Sequence, residues 1–219
     1  MKRFLSLFSA LILLLGLSGV ANATDINHNF VADGNQYTSP YFATAENFNG
    51  ALAWTWIGSG DVVSSSVDNE FSAPGGVDGI NKDLTKYVTV PKFDDRTGSY
   101  TATLGANYNY FGIWWGSVDT YNTLTFSDSQ GIVASFTGPD ITTLNSGIQY
   151  GNQTDPSTNL YVNFLNLPTF NSFTMTSTQY AFEADNIAVG NVSVPEPTTL
   201  LLLGFGLVGL AGLSRKLRK

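Results

Sequence analysis

Cysteine is missing from the 219-residue chain, which removes disulfides, thiolate metal sites and a cysteine nucleophile in one step. Histidine is reduced to His28. A Ser-His-Asp triad would then depend on one residue outside any strand-like block, and zinc lacks ligands. Cations are scarce in the middle of the chain, where only Lys82, Lys86, Lys92 and Arg96 occur; the other six are Lys2, Arg3, Arg215, Lys216, Arg218 and Lys219. All 17 acids fall between Asp25 and Glu196. Four cations less 17 acids leaves the processed body, counted through Glu196, at −13, against −7 for the whole chain. So acidic a surface repels phosphate backbones, which argues against a nucleic-acid partner. It suits a soluble exported domain, or one that recruits divalent cations.

Long helical periodicity is also missing, as are an internal repeat, a Gly-x-Ser-x-Gly elbow and a phosphate-binding loop. What is there instead, from Thr24 to Ser193, is a series of short runs rich in Thr, Val, Tyr, Phe and Trp between clusters of Gly, Asn, Asp, Ser and Pro. The pattern predicts strands over Ala51–Ile57, Asp61–Val67, Tyr87–Val90, Gly98–Thr103, Tyr108–Trp115, Thr123–Phe126, Ile132–Thr137, Leu160–Phe164, Ser172–Ser177 and Ala181–Val189. Ten short strands and no convincing helix imply an all-β domain, a β-sandwich with jelly-roll connections. A body of about 170 residues buries enough surface to hold together without disulfides.

The two ends read differently from this body. Met1-Lys2-Arg3, the apolar stretch Phe4–Val20 and Ala21-Asn22-Ala23 have the three parts of a signal peptide for Sec export, with Ala21 and Ala23 marking the cleavage site and Thr24 the mature N-terminus. The alternative is an N-terminal membrane anchor, for which the stretch is short against the ~20 residues of a span. At the other end Leu200–Leu213 is uncharged and carries Gly204, Gly206, Gly209 and Gly212, small residues common in membrane helices. Arg215, Lys216, Arg218 and Lys219 then fit the positive-inside rule. Pro195 and Pro197 remove two donors and keep Val194–Pro197 extended and accessible to a processing enzyme.

Val194-Pro195-Glu196-Pro197, the glycine-bearing apolar stretch and the basic cluster together resemble a PEP-CTERM sorting signal, the tripartite tail recognised by exosortases in Gram-negative bacteria that make extracellular polysaccharide. The resemblance implies a transmembrane sorting helix that anchors the protein in the inner membrane transiently and is removed near the Pro-Glu-Pro strip on the way to the outer surface. A permanent C-terminal anchor is the alternative. The domains are then 1–23 signal peptide, 24–193 β-sandwich and 194–219 sorting signal. Three further blocks, Asn107–Phe126, Ser135–Ile141 and Phe182–Gly190, are similar to blocks in a group of exosortase-dependent surface proteins. That similarity implies location and fold and supplies no reaction.

Strand alternation over Tyr108–Trp115 puts Tyr108, Tyr110 and Trp114 on one face and Phe111, Ile113 and Trp115 on the other. If the sandwich leaves the first face open, those three rings make a platform for stacking on sugars; if both faces are covered, every ring is structural. Trp54 and Trp56 share a face by the same rule. Glu183 and Asp185 also fall on one strand face, and with Asn186 beside them they are candidate oxygen ligands for calcium, in a stretch that looks like the last strand of jelly-roll carbohydrate-binding modules. The plain alternative is solvated polar positions. Asp119, in the turn Gly116–Thr120, suits local bonds to backbone amides. Glu46, Glu70 and Glu183 are the glutamates from which a glycosidase pair would be drawn, and their spacing brings no two together. The sequence therefore favours a non-catalytic exported surface or matrix protein that contacts envelope or biofilm polysaccharide, with a carbohydrate-active enzyme or a purely structural coat component as alternatives. Asn152-Gln153-Thr154 and Asn191-Val192-Ser193 match the glycosylation pattern, a three-residue signal that arises readily by chance.

Overall fold

A computed structural model of the chain describes residues 23–92, 95–142 and 150–193. Ala21, the apolar run 200–213 and the residues Val194, Pro195, Glu196, Pro197, Arg215, Lys216, Arg218 and Lys219 lie outside the described residues. Ala23–Val192 forms one compact unit. Its strands are β1 (Asp25–Asn27), β2 (Val31–Asp33), β3 (Gln36–Thr38), β4 (Thr55–Gly58), β5 (Asp61–Val63), β6 (Tyr87–Val90) and β7 (Gly98–Tyr108). There follow β8 (Tyr110–Gly116), β9 (Asn122–Asp128), β10 (Gly131–Thr137), β11 (Leu160–Leu165), β12 (Phe170–Ser177) and β13 (Phe182–Gly190), with one helical turn, α1 (Gly138–Thr142).

The strands make a six-stranded sheet in the order β1-β11-β8-β13-β6-β5, a five-stranded sheet in the order β10-β9-β12-β7-β4, and the hairpin β2-β3. From β6 onward every connection except β9–β10 crosses from one large sheet to the other, as jelly-roll connections do. All ten strands expected from the sequence are present. The three extra ones, β1 to β3, have three residues each and were hidden among polar residues, too short for alternation to show. The helical turn has Pro139 in its second position, where a missing N–H costs nothing, and is held by Thr137, whose backbone N–H and hydroxyl both donate to Asp140 Oδ2 at 2.7 Å.

Between the two sheets sits an aromatic core. Phe111 meets Phe173 at 4.7 Å and Phe126 at 5.0 Å between ring centroids, and Trp115 stacks on Phe182 at 4.1 Å. Trp54 and Trp56 do share a face: both pack half-buried on this core, edge-on to Phe173.

The outer faces of the two sheets differ. On the five-stranded sheet β9 and β12 alternate strictly, with Leu124, Phe126, Phe173 and Met175 buried and Thr123, Thr125, Thr174 and Thr176 outward. Nothing among the described residues packs over those threonines as a third layer. On the six-stranded sheet the outer face is covered by the chain from Phe30 to Phe42 and from Phe71 to Thr85. Tyr37 packs on Trp114, Phe42 on Tyr110, and Phe71 and Ala73 join Tyr87 in a separate apolar cluster.

Candidate functional site

The outer face of β8 and β13 is the part of the fold where the sequence placed its candidate residues. Trp114 and Tyr110 are fully buried, so the open stacking platform of Tyr108, Tyr110 and Trp114 does not form. Two physical reasons apply. Asn109 breaks the expected strand, so Tyr108 ends β7 in one sheet, half-buried against Phe170, while Tyr110 begins β8 in the other. The β2-β3 hairpin and its continuation then cover the β8 face. Tyr110 Oη donates to Asn163 Oδ1 at 2.6 Å and is bonded to Ser39 Oγ, and Tyr161 Oη donates to Asn186 O at 3.0 Å. Gly112 lies beneath both hydroxyls: a Cβ there would sit 2.4 Å from Tyr110 Oη. Alternation assigned the faces correctly for Tyr110, Phe111, Ile113, Trp114 and Trp115 but misplaced Tyr108, and the covering of the face was invisible to it.

Glu183 and Asp185 do share that face, opposite Gly116 and Trp114, but they do not converge with Asn186 on an ion. Between Asp185 and Ala188 the strand bulges, Asn186 takes φ 47°, and its amide donates to Tyr37 O at 3.2 Å. Glu183 Oε1 accepts from Ser72 N and Oε2 from Ser117 Oγ, both at 2.9 Å. Asp185 is fully buried beside Asp83. Asp83 is already bonded by Gln36 Nε2 and by Thr85 N and Oγ1. Among the described residues no group of three His, Asp or Glu side chains could hold a metal ion. The arrangement expected for calcium at Glu183, Asp185 and Asn186 differs from the one found: the Ser72 and Ser117 donors take up Glu183, Tyr37 O takes up Asn186, and Asp185 lies against Asp83.

What the fold does bring together is a different acidic set. Glu70, Ser117, Asp119, Tyr121, Gln153 and Glu183 line one cleft of about 240 Å³ at the end of β8 and β13. Burial pushes Glu183 up to about 8, with the Asp119 charge adding to it against the Ser72 and Ser117 donors. Burial also raises Asp119 to about 6, opposed by its bond from Tyr121. Glu183 thus holds its proton to higher pH than Asp119 does, an inequality of the kind that general acid–base chemistry uses. Glu70 Oε2 is buried there without a donor among the described residues. Ser117 at φ 36° and Asn69 at φ 64°, both lining the cleft, carry backbone strain of about 1–3 kcal/mol each.

Two of the three glutamates that spacing left apart, Glu70 and Glu183, therefore meet, together with Asp119. The Asp119 carboxyl lines the cleft with Tyr121, whose hydroxyl donates to Tyr180 O. The third, Glu46, is buried in its own loop, where Oε1 accepts from Phe48 N and Oε2 from Ala53 N. His28 does not line the cleft. No sequence signal pointed to Asp119 as the partner, because 64 residues separate it from Glu183 and only the β8–β13 pairing joins them.

Comparison with known proteins bears on the tail. Residues 193–216 match the PEP-CTERM protein-sorting motif, a span that takes in Val194-Pro195-Glu196-Pro197, the apolar run, Arg215 and Lys216. No curated protein matches the chain. Among the described residues no helix is long and apolar enough to cross a membrane.

Proposed function

We propose that this chain, whose C-terminal segment carries a PEP-CTERM sorting motif and marks it as an exosortase-sorted exported protein, ends as a non-catalytic component of the outer surface or extracellular matrix. There it contacts polysaccharide of the envelope or biofilm. The sorting motif is the observation that carries the reading. The body supports it: an acidic, cysteine-free sandwich with a fully packed aromatic core is stable outside the cell without redox support. The test is the intact mass of the protein recovered from the outer surface of its host. It should lack everything through Ala23 and everything beyond about Pro197, and replacing Pro195, Glu196 and Pro197 with alanine should block the second trimming. Recovery of a species that retains Leu200–Lys219 only in the inner membrane would refute the surface role.

A second reading, a carbohydrate-active enzyme, is favoured by Glu70, Asp119 and Glu183 lining one cleft with unequal proton affinities. On that reading Glu183→Gln lowers release of reducing sugar by roughly 10²-fold or more. A wild-type protein that releases none from neutral or acidic polysaccharides sinks it, and Glu183 is then the structural tie between β13, Ser72 and Ser117.

A further inference from the structure

We propose that the bare outer face of the five-stranded sheet is the contact surface, and that its partner is a neutral polysaccharide. The proposal deepens the reading of the chain as a polysaccharide-contacting surface protein and rests on it.

The face is a grid of short hydroxyls. Its central row crosses all five strands as Ile57, Thr101, Thr174, Thr125 and Ser135, each the direct partner of the next. A second row, Ser99, Thr176, Thr123 and Thr137, runs beside it. A third, Thr55, Thr103, Ser172, Ser127 and Ile132, completes the grid, so that exposed Ile57 and Ile132 stand on its two edge strands and hydroxyls fill the three strands between. Rows repeat about every 6.8 Å along a strand and hydroxyls about every 4.8 Å across strands, as pleated geometry dictates. Cross-strand bonds orient them: Thr101 Oγ1 to Thr174 Oγ1 at 2.8 Å, Thr125 Oγ1 to Ser135 Oγ at 3.0 Å and Ser99 Oγ to Thr176 Oγ1 at 3.0 Å. Each hydroxyl has one donor and two acceptor positions, so a bonded pair still offers a donor and lone pairs outward.

Charge decides the partner. The sandwich domain carries 16 acids against four cations, yet not one charged residue stands in these three rows. An acidic polymer would be repelled by the rest of the domain and would find no cation here. A neutral polyol matches a face of neutral donor–acceptor groups and repeats as the face repeats, so many weak bonds form together. A protein partner fits less well, because interface anchors are mainly Trp, Tyr and Arg, and the rows contain none. Short β-branched side chains already held by cross-strand bonds also lose little freedom on contact.

The experiment uses the full-length chain in mild detergent, with amorphous cellulose and insoluble β-1,3-glucan as neutral probes and alginate gel as the acidic one. The wild type should be retained on at least one neutral probe, equally at low and high salt. The triple variant Thr101→Val, Thr125→Val, Thr174→Val, which keeps the branched shape, should lose retention at least tenfold while its melting temperature holds. Equal retention of the triple variant overturns the proposal and leaves polysaccharide contact elsewhere on the domain. Retention on alginate alone overturns the proposal and keeps the broader reading. Retention on none of the probes overturns both.

Discussion

Asp185 is the residue whose surroundings depart furthest from those of a free side chain. It is fully buried, its Oδ1 has no donor among the described residues, and burial, the Asp83 carboxyl beside it and the opposing Asn186 amide leave it at about 9. Glu183 stands at about 8 for the same leading reason. Both groups ionise near 4 in an unfolded chain, so the folded state binds more protons than the unfolded state between about pH 4 and pH 9. Their contribution to stability is therefore whole below about pH 4 and is lost as pH rises through 8 and 9. Thermal unfolding should show a melting temperature at pH 5 above that at pH 9 by about 5 °C or more. Asp185→Asn, whose amide can donate to Asp83, should flatten the upper part of that slope. A variant with the wild-type slope would mean that Asp185 is ionised throughout. The sequence showed Asp185 and Glu183 on one face and offered no sign that either would be sealed from water, since the residues bonded to this stretch of β13 lie 66 to 149 positions away.

At the scale of elements, the β2-β3 hairpin decides what the six-stranded sheet can do. Tyr37 lies 5.5 Å from Trp114 between ring centroids, and Asn186, on the bulge of β13, donates to Tyr37 O. The next segment continues the attachment, with Ala45 N and Glu46 N donating to Ile187 O and Ile187 N donating to Glu46 O. A three-residue strand pair is marginal by itself, so the hairpin holds its place through these contacts. Tyr37→Ala should cost about 3 kcal/mol, a fall in melting temperature of roughly 6–12 °C for a domain of this size. A change under about 2 °C would show that the hairpin lies loosely on the sheet. Period-two alternation revealed β8, β9, β12 and β13, because each has five or more alternating side chains. It could not reveal β1 to β3, where three residues give no period to read, nor the break at Asn109 that sends Tyr108 and Tyr110 to different sheets.

For the whole molecule, several properties follow from the sequence alone. The absence of cysteine, the charge of −13 on the processed body through Glu196 and the tripartite tail are local or additive, and neither sums nor contiguous motifs need a fold to be read. The all-β sandwich was legible for a related reason: alternation records that each strand has one dry face, as Thr123–Phe126 and Ser172–Ser177 do. Which of the two remaining outer faces meets water was decided only in three dimensions. Trp114 is covered because a segment some 70 residues earlier folds over it, while over the plain threonine face of β7, β9 and β12 no segment returns among the described residues. The cleft of Glu70, Asp119 and Glu183 has the same origin. Contacts between residues distant in the chain depend on strand order and register, which no single stretch of sequence encodes, and those contacts set the burial that shifts proton affinities and leaves one surface available to a partner.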